Sequence, residues 1–78
     1  MDVITLSDLK VGNKCIVDTL LSSGNERRRM LDLGIVPNTN IEALYKSPAG
    51  DPVAYFIRGA VIALRSEDAK KILISNIN

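Results

Sequence analysis

Three consecutive arginines, Arg27, Arg28 and Arg29, are the most prominent side chains that could bind another molecule. Guanidinium groups pair with carboxylates and phosphates, so the run predicts contact with an acidic or phosphorylated partner. Successive residues of a helix point about 100° apart, so all three cannot face one partner. The simpler alternative is a solvated helix face on which Arg28 pairs with Asp32 one turn later.

The segment 47–52, Ser-Pro-Ala-Gly-Asp-Pro, is the second candidate. Two prolines and a glycine are typical of a rigid hairpin turn, and a protruding loop tip is also a common place for binding residues. Tyr55 and Phe56 follow on a predicted strand and point to opposite faces, so we expect one of them to be exposed. The candidate partner-binding residues are therefore Arg27, Arg28, Arg29, Pro48, Gly50, Asp51, Pro52 and Tyr55.

Residues suited to catalysis or to tight metal binding are sparse. The chain has no His and a single cysteine, Cys15, which lies in an apolar segment where an inert buried thiol is expected. Only Glu67 and Asp68 are adjacent acids, and their position indicates a helix start. We expect no catalytic residues, no metal site and no cofactor, and the protein is predicted not to be an enzyme. Weak coordination of a metal by carboxylates is left open.

The charge balance argues against a general polyanion binder. Ten Lys and Arg oppose nine Asp and Glu, which gives a formal net charge of +1, whereas phosphate contacts need clustered positive charge. A small nucleic-acid-binding or metal-responsive module remains the alternative function. For nucleic acid it would use five arginines, Arg27, Arg28, Arg29, Arg58 and Arg65.

Five or six short strands, a single helical turn and two short helices are predicted to position these residues. The strands are expected at 3–6, 15–20, 40–46, 53–57, 60–64 and 73–77. The strand at 60–64 is apolar throughout and is expected to be central. Ser7 is predicted to cap a single turn, Asn25 to cap a helix at 27–33, and Ser66 to cap a second short helix.

Several residues are predicted to be structural because of the turns around them. Gly34 follows Leu33 where a left-handed residue ends a helix. Pro37 and Asn38 fit the two central positions of a tight turn, and Arg58 with Gly59 fits a two-residue hairpin.

These elements predict a mainly β fold. We expect a small SH3-like antiparallel β-barrel with an inserted short α-helix and a short C-terminal helical turn, formed by residues 1–78 as a single domain. An open sheet with one helix across it is the alternative.

No secretory signal is visible, and the longest apolar run, Ala60 to Leu64, is far shorter than the roughly 20 residues of a membrane span. A cytoplasmic protein without membrane insertion is expected.

Three motifs in order resemble the FeoA family. Residues 28–37, Arg-Arg-Met-Leu-Asp-Leu-Gly-Ile-Val-Pro, are similar to its helix-ending motif, residues 47–52 to its loop, and residues 57–65 to its hairpin. Asn38 stands where the family pattern has Gly.

The resemblance implies an SH3-like barrel and a role in bacterial ferrous iron uptake. The implied partner is the cytosolic side of FeoB, a membrane iron transporter with a GTP-binding domain. A similar fold occurs in iron-dependent repressors, so fold alone does not decide function. The docking face and a weak homo-oligomer are left open.

Overall fold

The structure, a computed structural model, describes residues 4–76 and consists mainly of β-strands. The elements in chain order are β1 (Ile4–Thr5), a 3-10 helix (Leu6–Asp8), β2 (Lys14–Leu20), α1 (Gly24–Asp32), β3 (Asn40–Lys46), β4 (Val53–Ile57), β5 (Ala60–Leu64), α2 (Ser66–Ala69) and β6 (Ile72–Asn76). The predicted first and last strands extended to Val3 and Ile77, which lie outside the described residues.

All six strands join one antiparallel sheet in the order β1-β6-β2-β3-β4-β5. The sheet has the small-barrel-like form that was predicted, but it is not closed by strand pairing, because β1 and β5 are its two ends. The prediction that 60–64 is a central strand is wrong. The strand β5 ends the sheet, and Val61 is 58% exposed while Leu64 is 2% exposed, so only one face of the apolar run packs against the core.

The core lies on the inner face of the sheet, under the 3-10 helix and α1. Cross-strand neighbours such as Cys15 and Ile41 are both buried. Leu6 and Leu9 pack into the same cluster, whereas Val11 is 43% exposed. The fully buried large side chains are Tyr55, Leu6, Met30, Ile35, Ile41, Ile57, Ile72, Val17 and Cys15.

Helix α1 begins earlier than predicted and ends at the predicted glycine. Its N-cap is Ser23, so the assignment of Asn25 as the cap is wrong by two residues. Gly34 has a φ of 87° and donates its N–H to Leu31 O at 3.0 Å, while Ile35 N donates to Met30 O at 2.9 Å. This pair of hydrogen bonds is a Schellman motif, which satisfies the last carbonyls of the helix.

The two predicted tight turns are confirmed. Asn38 has a φ of 74° after Pro37, and Thr39 N donates to Val36 O at 3.1 Å. Asparagine thus supplies the left-handed residue that this turn requires. Arg58 and Gly59 have φ of 50° and 85°, the combination of a type I′ hairpin.

The predicted caps of the two shortest helical segments are wrong. Thr5, not Ser7, precedes the 3-10 helix, and its N–H donates to Asp8 Oδ2 at 2.9 Å. Arg65, not Ser66, is the N-cap of α2. The partner of the Ser66 N–H comes from elsewhere in the chain, as described below.

Candidate functional site

The three arginines of α1 have three different surroundings. Arg29 Nη2 lies 2.9 Å from Asp68 Oδ2 in α2, so its charge is paired. Arg27 Nη1 donates to the carbonyl oxygen of Leu20 at 3.4 Å. Arg28 is exposed, and no carboxylate of residues 4–76 is within 4.0 Å of its guanidinium. The predicted Arg28–Asp32 pair is therefore wrong, and Arg28 is the arginine of the run that stays available.

Two ion pairs connect α1 to α2 and to Lys71, which lies just after α2. Glu26 and Arg29 are one turn apart and therefore share a face of α1. Glu26 Oε2 accepts from Lys71 Nζ at 2.7 Å, beside the Arg29–Asp68 pair. The hydrogen bond and charge of Lys71 lower the pKa of Glu26, and the same hydrogen bond raises the pKa of Lys71.

The loop at 47–52 is tied to α2. Asp51 Oδ1 accepts a hydrogen bond from the Ser66 N–H at 2.8 Å, which satisfies a free donor at the start of that helix. Gly50 N donates to Ser47 O at 2.8 Å and Ser47 N donates to Pro52 O at 3.0 Å. Pro48 and Gly50 are exposed at the tip, while Pro52 is half-buried. The loop therefore has a structural role through Asp51, and only its tip is free for contacts.

The choice of Tyr55 as a surface contact is wrong. Tyr55 is 2% exposed, and its burial raises the pKa of the phenol to about 12. Burial, with a smaller effect of Asp18, likewise raises the pKa of the Cys15 thiol to about 11, as expected of an inert buried cysteine. Phe56 is 43% exposed, so it is the aromatic residue of the adjacent pair that faces outward.

The outward aromatic ring lies in an open groove of about 660 Å³, here named the Phe56 groove. Its lining residues are Lys14, Asn38, Thr39, Asn40, Ile41, Glu42, Phe56, Arg58 and Gly59. They come from β2, the Pro37–Asn38 turn, β3, β4 and the Arg58–Gly59 hairpin. Sequence reasoning missed Lys14 and Phe56 as site residues, because only the strand register brings them together. It treated Asn38 and Gly59 as structural alone.

The register explains how the groove forms. Lys14 is the cross-strand partner of Glu42, Glu42 is the partner of Phe56, and Phe56 is the partner of Val61. Directly opposite residues point to the same face of a sheet, so these four side chains form one outward row. A bulge between Ala43 and Tyr45 in β3 places Tyr45, 59% exposed, opposite Ala54 beside that row.

A second, smaller groove of about 480 Å³ runs between the end of α1 and the edge strand β5. Arg29 and Leu33 form one wall and residues 62–65 the other, with Glu67 and Asp68 at one end. Its arginine at position 29 is already neutralised by Asp68, so this groove presents balanced charge.

The described residues contain neither a cluster suited to metal binding nor a membrane-spanning helix. Within 4–76, no group of three or more His, Cys, Asp or Glu side chains is arranged to hold a metal ion. No helix in that part of the chain is long and apolar enough to cross a membrane.

The chain is similar to known proteins along its whole described length. The model of the FeoA domain matches residues 4–76. A Fe(2+) transport protein A/Fe(2+) transporter FeoB fusion protein of Porphyromonas gingivalis is 34% identical over 73 residues, which is 94% of this chain. The chain spans only 9% of that relative's length.

Solved structures agree with the fold. A FeoA-like protein from Clostridium acetobutylicum superimposes with a TM-score of 0.91 at 33% identity, covering 100% of this chain and 91% of that one. The zinc-complexed FeoA of Stenotrophomonas maltophilia, described as an SH3-domain protein, has a TM-score of 0.82 at 25% identity, covering 92% of this chain and 89% of that one. The FeoA-domain match over residues 4–76, together with these relatives, shows that this chain belongs to the FeoA family.

Proposed function

We propose that this protein is a cytoplasmic accessory protein of ferrous iron uptake that binds the FeoB transporter and modulates its assembly or activity. The FeoA family to which the chain belongs is associated with ferrous iron transport. FeoB is the proposed binding partner, and docking on its surface is the proposed mode of action.

The observation that carries the proposal is the Porphyromonas gingivalis relative, whose name records the transport protein A and FeoB as one fusion protein. Linking two modules by a short tether raises their effective mutual concentration to the millimolar range, so a weak contact becomes well populated. A fusion of this kind is expected of two proteins that act together.

The surface of the chain supports docking. Arg28 on α1, the loop tip around Pro48 and Gly50, and Phe56 are all exposed in the described residues. Aromatic and arginine side chains are over-represented among residues that contribute most to protein interfaces. A docked partner would be biased toward the conformation that binds this surface more tightly.

Co-purification tests the proposal. The chain carrying an affinity tag is expressed together with FeoB of the same organism, and FeoB is extracted in detergent. We expect FeoB to be retained with the tagged chain and ferrous iron uptake by cells to fall when the chain is deleted. A matched control is the tagged Ile57→Asp variant, which places an unpaired charge in the core and should not fold. If FeoB passes through unretained and uptake is unchanged by the deletion, the proposal is wrong.

A further inference from the structure

The Phe56 groove presents an apolar centre. Phe56 is 43% exposed, and its cross-strand neighbour Val61 is 58% exposed on the same outer face. Exposed large apolar side chains that adjoin one another on a small protein commonly mark a contact surface. The ring is fixed on a strand and has few rotatable bonds, so covering it loses little conformational entropy.

Two cations that form no ion pair within residues 4–76 line the same groove. Lys14 and Arg58 both line the groove, and no carboxylate within residues 4–76 lies within 4.0 Å of their side-chain nitrogens. The one carboxylate that lines the groove is Glu42. The groove thus carries two positive charges against one negative charge, whereas Arg29, Lys71 and their carboxylates neutralise one another elsewhere.

Arg58 is positioned in advance by the fold. It occupies the first central position of the type I′ hairpin with a φ of 50°. Its aliphatic stem lies over Gly34, where a Cβ would be 2.6 Å from Arg58 Cδ. The missing side chain of a helix-ending glycine therefore makes room for this arginine at the end of the groove. A guanidinium that the fold already holds in position loses less conformational entropy when it pairs with a carboxylate.

A protein segment fits the groove better than a nucleic acid does. Polynucleotides need many phosphate contacts and, when single-stranded, successive aromatic platforms. The groove offers two cations and one ring, in a volume of about 660 Å³ that matches a few side chains. A partner segment with one carboxylate beside one large apolar side chain would pair with the cations and cover the ring.

We propose that the Phe56 groove docks a segment of a partner protein that presents a carboxylate next to a large apolar side chain. The apolar side chain covers Phe56, and the carboxylate interacts with both Arg58 and Lys14. This inference rests on the proposed function, because it names the surface of this chain and the chemistry of the segment of FeoB that would bind there.

The test measures binding of the full chain to the cytosolic region of FeoB by calorimetry. Three groove variants, Phe56→Ser, Arg58→Glu and Lys14→Glu, are compared with Lys70→Glu, a charge reversal outside the groove. Each groove variant is expected to weaken binding by about tenfold or more, and Lys70→Glu by less than about twofold. Amide NMR spectra confirm that each variant is folded. Lys14 lies on an exposed strand position, so its variant remains informative if the hairpin variant at Arg58 does not fold.

A second arm separates this inference from the proposed function. The nitrogen-15-labelled chain is titrated with the peptide acetyl-Glu-Leu-Phe-Glu-amide at millimolar concentration. Shifts confined to the amides of the groove support the inference even if FeoB itself does not bind. If FeoB binds the wild-type chain and all three groove variants equally well, the groove is not the docking site and the proposed function stands. If the peptide leaves the groove amides unchanged and FeoB does not bind, both are wrong.

Discussion

The stem of Arg58 in the β4–β5 hairpin covers Gly34 at the end of α1. A Cβ on Gly34 would be 2.6 Å from Arg58 Cδ, and Gly34 has a φ of 87°, which side chains rarely adopt. The two residues are distant in sequence, yet the arginine stem occupies the space that a side chain at position 34 would need. This contact links the end of α1 to Arg58, one of the residues that line the Phe56 groove.

Replacement of Gly34 by valine should destabilise the fold. A left-handed residue with a side chain costs about 1–2 kcal/mol, and a β-branched one costs more. Displacement of Arg58 adds to this cost. Urea unfolding of Gly34→Val measures the sum, and Gly34→Val in an Arg58→Ala background measures the backbone part alone. An unchanged unfolding midpoint for the single variant would contradict this account of the helix end.

Loss of the Asp51 carboxylate should loosen the start of α2. Asp51→Ala removes the acceptor of the Ser66 N–H and should lower the free energy of unfolding by about 1 kcal/mol. Asp51→Asn retains an acceptor oxygen and should lose less. If the two variants unfold at the same denaturant concentration as the wild type, the hydrogen bond contributes nothing to stability.

Charge reversal should distinguish Arg28 from Arg29. Arg28→Glu changes an unpaired exposed residue, so a change in unfolding free energy below about 0.5 kcal/mol is expected. Arg29→Glu breaks the pair with Asp68 and places two carboxylates together, for a loss of up to about 1 kcal/mol, since Arg29 is 60% exposed and solvent screens the charge. Equal stability of the two variants in low salt would count against the Arg29–Asp68 pair.

The Cys15 thiol should be unreactive in the folded state. Burial raises its pKa to about 11, so the reactive thiolate is scarce at pH 8. Because the folded pKa is above the unfolded value, this group stabilises the fold below its ordinary pKa of 9.0. That contribution is lost as pH rises toward 11. The rate of reaction with a disulfide reagent at pH 8, measured with and without urea, tests this. Fast labelling without urea would contradict the burial of Cys15.

Local chemistry predicted much of the fold. Gly34, Asn38 and Gly59 were assigned to left-handed positions because a helix end or tight turn needs them there, and their φ values confirm this. The strands at 40–46 and 53–57 were found with the bounds of β3 and β4, because their residue types and turn signals are local properties.

The remaining features depend on strand order and register, which local patterns do not determine. An apolar run such as 60–64 is compatible with a buried strand or with an edge strand, and the choice depends on distant strands. Which of Tyr55 and Phe56 faces inward depends on register for the same reason. The pairs Arg29–Asp68 and Asp51–Ser66 join residues far apart in the chain, so no spacing rule could find them. The Phe56 groove is built from five segments, so the sequence did not predict it, although Arg58 in its lining was named as a candidate for nucleic-acid binding.

Binding to FeoB is the proposed activity on which the other expectations depend. The most direct measurement is an amide NMR titration of the nitrogen-15-labelled chain with the cytosolic region of FeoB, followed by the full-length transporter in detergent. The account predicts progressive shifts or broadening of a contiguous set of surface amides, with those of the Phe56 groove among them. A spectrum that stays unchanged with both forms of FeoB would contradict it.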